Sequence, residues 1–146
     1  MATYINGKVE TLAWWDGVDT YEPLVCLTSH TLTENVDEVS APQTKCDTNN
    51  ELVRSAGQYS YEISFEGVYA ETEADKISWA EIRTKLRALA SGTWRISTTY
   101  SSGSDVEYGT GFFSNLEKVA ETEEFITFSG TILGSGAITS TDPNAT

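Results

Sequence analysis

The sequence is poor in the residues that build most chemical sites. Its 146 residues include one histidine, two cysteines and one methionine. His30 stands just before a polar stretch, and no nearby pattern makes it a general base, so it reads as a surface or structural residue. Cys26 and Cys46 are too few for a disulfide framework and lack zinc-ligand spacing. Two reduced thiols or a single bond between them both remain open. Basic residues are scarce as well, 9 Lys and Arg against 22 Asp and Glu, for a net charge of -13 and a pI near 4.3. That balance argues against tight binding to nucleic-acid phosphates, which needs clustered Lys and Arg, and against an anionic membrane surface. Such charge keeps copies apart in solution, and it also suits a surface along which something anionic passes without sticking.

Further absences narrow the chemistry. No apolar run approaches the length that spans a bilayer. The opening residues, MATYINGKVE, carry no basic region followed by an apolar run, so the expectation is a chain made and used in a cytoplasm. No Walker-type phosphate loop, dinucleotide fingerprint or calcium loop occurs. The nearest imitation, residues 130–136 (GTILGSG), lies in a predicted strand and lacks both the lysine and a following helix. Glu62 and Glu66 fall on one side of a strand, which invites a paired-carboxylate glycosidase reading. A solvated polar face accounts for them as well, and no tryptophan cluster flanks them as a sugar platform requires. No catalytic residue, metal ligand or cofactor is assigned.

What is present is a folding chain. Hydrophobic content of 39% and aromatic content of 11% suffice for one domain with a real core. Residues 8–15 and 24–29 read as strands, with turn chemistry between them at Asp16-Gly17 and Glu22-Pro23. Residues 31–57 are polar, hold Pro42 and show no strong period, so a long extended loop is expected there. It is either a floppy surface loop or an arm that orders against a neighbouring subunit. Residues 58–65 alternate strictly, Tyr59, Tyr61, Ile63 and Phe65 on one face and Gln58, Ser60, Glu62 and Ser64 on the other.

One helix is signalled. Ser78 and Glu81 have capping-box spacing, and Ile77 and Ile82 take the positions of a hydrophobic staple. Trp79, Ile82, Leu86 and Leu89 then recur at helical spacing. Gly92 is placed to supply the left-handed residue that ends it, and Lys85 and Arg87 suit its C-terminal dipole. With Lys76, Arg83 and nearby Arg95, the helix puts much of the positive charge on one side of the molecule.

Residues 93–100 are a further strand, with residues 101–105 as a hairpin turn. Residues 108–116 and 125–133 make two closing strands, the second with Ile126, Phe128 and Ile132 on one face and Thr127, Ser129 and Thr131 on the other. The small polar residues 139–146 are expected to fray.

The order of these features resembles that of bacteriophage major tail proteins, the tail-tube subunits of long-tailed phages. It runs from an early strand, YEPLVC at residues 21–26, through TSHTL at 28–32, the acidic stretch 34–38 and the Thr44-Lys45 region. Gly57 leads into the tyrosine-rich strand, a single helix ends near Ser91-Gly92, and YGTG at 108–111 precedes the closing strand 128–136. The lone helix among strands is also similar to inner-tube proteins of contractile injection machines. The resemblance implies a mainly β, α+β domain over residues 1–138, a β-sandwich or partial barrel with one flanking helix. It implies rings of six copies stacked into an acidic tube in a virion assembled in the bacterial cytoplasm. Its partners would be copies of itself, a tape measure protein, a tail terminator and a distal tail protein, with DNA passing through unbound.

On that reading the long loop docks on the next ring through Glu34, Asp37, Glu38, Lys45, Asp47 and Arg54. Candidates for the lumen are the short or acidic residues Ser60, Glu62, Ser64, Glu66, Thr127, Ser129 and Thr131. The rival expectation is a monomeric carbohydrate-binding module that uses Tyr59, Tyr61, Trp94 or Tyr100 as an exposed stacking platform; a tube subunit would bury them.

Overall fold

The computed structural model describes residues 3–40, 54–70 and 76–145. In chain order the elements are β1 (Glu10–Trp15), β2 (Tyr21–Pro23), β3 (Leu27–Ser40), β4 (Arg54–Val68), α1 (Trp79–Arg87), β5 (Ser91–Tyr100), β6 (Gly103–Val119) and β7 (Thr127–Thr139). The strands form one seven-stranded antiparallel sheet in the order β2-β1-β5-β6-β7-β4-β3. The expected mainly β architecture with one flanking helix is therefore present.

Alternation dictates which face is buried. Along β4, Tyr61, Ile63 and Phe65 are buried while Glu62, Ser64 and Glu66 are exposed. The same face collects Leu12 and Trp14 of β1, Trp94 and Ile96 of β5, Phe113 of β6, and Phe128 and Ile132 of β7. Helix α1 lays Trp79 and Ile82 over this surface, the Trp79 ring 5.4 Å from that of Phe128. Full burial of each such side chain contributes about 1.5–3 kcal/mol.

The sheet curls on itself. Trp94 of β5 donates its indole Nε1–H to Tyr61 Oη of β4 at 3.1 Å, although β6 and β7 lie between those strands in the sheet. Gly109 and Gly134 make the curl possible, because a Cβ at either would overlap the Trp94 indole or the Tyr61 ring. At the seam, His30 Nε2 of β3 lies 3.0 Å from Glu10 Oε1 of β1.

Several boundaries differ from the sequence reading. Of the expected loop at 31–57, residues 31–40 and 54–57 are strand, paired from Leu27↔Gly67 to Ser40↔Arg54. A ladder satisfies main-chain groups whatever the side chains are, and strands exposed on both faces carry no period-two signal. Residues 41–53, with Lys45, Cys46 and Asp47, lie outside the described residues; Cys26 is a free, exposed thiol.

Ser78 occupies the N-cap, but its side chain makes no capping hydrogen bond, so the capping box does not form. Ile77 and Ile82 are both buried beside that cap. Leu89, at φ 56°, takes the left-handed conformation expected of Gly92, which lies inside β5 against the Trp14 ring. Residues 7–9 form a 3₁₀ turn capped by Asn6, whose Oδ1 accepts from Lys8 N at 2.9 Å, so β1 begins at Glu10. The expected strand at 24–29 is broken by the left-handed Cys26. Beyond Thr139 the chain meets β2 through Asp142 and Asn144. Tyr21 Oη donates to Asp142 Oδ1 at 2.7 Å and accepts from Asn144 Nδ2 at 3.2 Å.

Candidate functional site

The face of the sheet opposite the core is a mostly polar surface across β6, β7, β4 and β3. Cross-strand pairing writes it in rows: Glu117–Ser129–Glu66–Ser29, then Asn115–Thr131–Ser64–Thr31, then Leu133–Glu62–Thr33. Ser60 continues it opposite Asn35, and Thr127 sits beside Val68 and Val119. All seven residues singled out from the two alternating strands thus share one face. Ser60, Glu62, Ser64, Glu66 and Thr127 are exposed, whereas Ser129 and Thr131 are half-buried. Ser29 Oγ donates to Glu66 Oε1 at 2.9 Å, tying β3 to β4.

Sequence reasoning missed Ser29, Thr31, Thr33, Asn115 and Glu117. Their membership depends on register, and the β6–β7 register shifts between Phe113 and Asn115. A bulge of that kind re-aims every later side chain without leaving a mark on local hydropathy. Phe112 and Leu133, paired and each partly exposed, interrupt the polar rows with an apolar spot.

The charge of this surface is one-sided. Its rows hold the carboxylates of Glu62, Glu66 and Glu117 and no lysine or arginine. Arg95, farther along the same side on β5, is half-buried, with its guanidinium carbon 5.1 Å from the centre of the Tyr21 ring. A second acidic group lies toward the seam. Burial, followed by the charges of Asp105, Glu34 and Glu10, raises the Glu107 carboxyl above its ordinary range.

Beyond Glu62, β4 no longer pairs with β7, and β3 and β4 continue as a two-stranded ribbon. Past the buried Tyr61 the ribbon is exposed on both faces, including Val36 (56%), Val39 (53%) and Tyr59 (39%). Glu34, Glu38 and Arg54 lie on it, and Asp37 falls at a bulge between Val36 and Glu38. Arg54 Nε donates to Glu38 Oε1 at 2.9 Å, and Tyr59 Oη donates to Glu34 Oε1 at 2.6 Å. Burial and then the Glu34 hydrogen bond push the Tyr59 phenol up to about 12. Exposed pairs of this sort contribute at most about 1 kcal/mol, so the ribbon has little to hold it except its own ladder.

The four aromatics of the sugar-platform reading do not form one surface. Tyr61 and Trp94 are in the core, whereas Tyr59 is on the ribbon and Tyr100 ends β5. His30 is engaged with Glu10. Among the described residues no group of three or more His, Cys, Asp or Glu could hold a metal, and no helix is long and apolar enough to cross a membrane.

The fold has solved counterparts. It superposes on the tail of an empty gene transfer agent particle with C6 symmetry at a TM-score of 0.74, with 18% identity over 95% of this chain and 100% of that one. The SPP1 tail tube matches at 0.72, with 11% identity over 91% of this chain and 77% of that one. A chain of the anti-feeding prophage baseplate matches at 0.68, with 8% identity over 95% and 96%. At these identities the likeness is one of fold. A search of curated protein sequences finds no match. Residues 8–140 match the model of the phage tail tube protein family, and the chain belongs to that family, a structural component of the virion and not an enzyme.

Proposed function

We propose that this chain is the repeating subunit of a tail tube, assembling into stacked rings of six. The polar face of β6, β7, β4 and β3 turns toward a lumen through which DNA passes without specific binding. The observation that carries this reading is the chemistry of that face: carboxylates and short hydroxyls in register over four strands, with no cation in the rows. Phosphates adhere to proteins mainly through Lys and Arg, and the Debye length at physiological salt is about 8 Å. A wall of this kind repels DNA weakly at short range and offers it no ionic foothold.

The C6 symmetry of the gene transfer agent tail supports six copies per ring. The exposed edge of β3 supports strand pairing within a ring, since unpaired main-chain groups are satisfied by a neighbour's strand. The ribbon is the docking arm to the next ring, using Glu34, Asp37, Glu38 and Arg54 together with Lys45 and Asp47. An isolated two-stranded ribbon is marginal in water, and contact with a neighbour removes that instability. Head-to-tail contacts of this type do not close, so rings propagate into a tube. The ends of the tube meet a tape measure protein, a terminator and a distal tail protein, and the whole assembles in the host cytoplasm. Electron microscopy of the concentrated protein tests the reading. Rings or tubes with six-fold symmetry are expected, and a species that stays monomeric would overturn it.

A further inference from the structure

Two surface elements carry opposite charge, and neither has an ion-pair partner among the described residues. Arg83, Lys85 and Arg87 follow one another along α1 and make no ion pair among the described residues. Glu81 is four residues before Lys85, the spacing of a helical pair, yet the two do not pair. Just past the helix, Leu89 is 89% exposed in a left-handed conformation. Three of the nine basic residues in a chain of net charge -13 are thereby grouped on one nine-residue helix, beside a bare apolar side chain.

The β6–β7 turn has the reverse character. Glu121, Glu123 and Glu124 are exposed, and Phe125 beside them is 86% exposed. Glu124 N donates to Glu121 O at 3.3 Å, and Glu123 is held at φ 70°, so the turn has a defined shape. A phenylalanine so exposed beside acids gains nothing within its own subunit.

We infer that the β6–β7 turn of one subunit docks on α1 of a second copy, with Glu123 and Glu124 facing Lys85 and Arg87, and Phe125 against Leu89. The inference rests on the tube reading, in which a second copy is always adjacent. Charge complementarity selects that occupant. In so acidic a molecule most approaches between copies repel, and this helix is where an acidic turn meets cations. The two patches differ, so the contact is head-to-tail and repeats from copy to copy. An exposed aromatic buried at the centre of such a contact is the usual anchor.

The test uses the full chain and measures the critical concentration for tube growth by sedimentation, with microscopy of the pellets and thermal melts of the soluble protein. The double variants Glu123→Lys/Glu124→Lys and Lys85→Glu/Arg87→Glu should each melt like the parent and raise the critical concentration about tenfold or more. Phe125→Ser, a change at a highly exposed site, should act in the same direction. All four charge substitutions together should restore growth. Reversals that polymerise like the parent would overturn the contact while leaving the tube reading intact, as would a quadruple variant that folds but stays blocked. Failure of the parent chain itself to form tubes would overturn the tube reading, and this contact with it.

Discussion

Tyr61 Oη accepts the Trp94 indole N–H at 3.1 Å and donates to the Thr110 carbonyl at 2.7 Å, so one phenol on β4 pins β5 and β6 across the inside of the curl. Trp94 is fully buried, and water cannot replace the phenol as acceptor. Tyr61→Phe keeps the ring but strands a buried indole donor. An unsatisfied buried donor costs about 1–3 kcal/mol, and chemical denaturation should show a loss in that range. A loss near zero would mean that the bond is not formed in solution.

Glu62→Lys/Glu66→Lys places two cations on the polar rows, at sites that are exposed and make little packing. Subunit stability should change by less than about 1 kcal/mol, as for other surface charges, and assembly should survive. Genome ejection should slow, because each lysine offers phosphates a foothold. Particles carrying the variant that eject at the parental rate would remove these residues from the lumen.

The ribbon buries almost nothing in its own subunit. Removing it from Asn35 outward, so that the Thr33↔Glu62 pair is kept, should leave a folded protein that does not polymerise. Val36→Asp with Val39→Asp should do the same by charging its two exposed valines, with a melting temperature close to the parent's. Long tubes from either variant in negative-stain images would count against a docking arm.

Burial pushes the Tyr21 phenol up to about 12; Asn144 opposes this and Asp142 reinforces it. A phenol whose folded value lies above its unfolded value of 10 stabilises the fold fully below about pH 10, and that stability is lost as pH rises from 10 toward 12. Asp142→Ala removes the accepting carboxylate, so phenolate absorbance should report a Tyr21 titration closer to 10. An unchanged alkaline titration would show that the tail does not cover Tyr21 in solution.

Some of this was legible in the order of residues alone. Strict alternation over residues 58–65 marked both the core side and the polar side of β4, because a strand buried on one face must alternate. The helix, the acid excess and the basic α1 surface were equally open to view, since each depends on neighbours in sequence. The outer part of β3 was not, because a ribbon wet on both faces has no burial to impose a period. Ser29, Thr31, Asn115 and Glu117 joined the polar rows only through cross-strand register, and a bulge at Ser114 decided the last two. The docking of Asp142 on Tyr21, 121 residues away, was likewise a matter of tertiary structure. Local pattern records which face of a segment meets water; which segments meet each other is set by ladders and curls that sequence neighbours do not share.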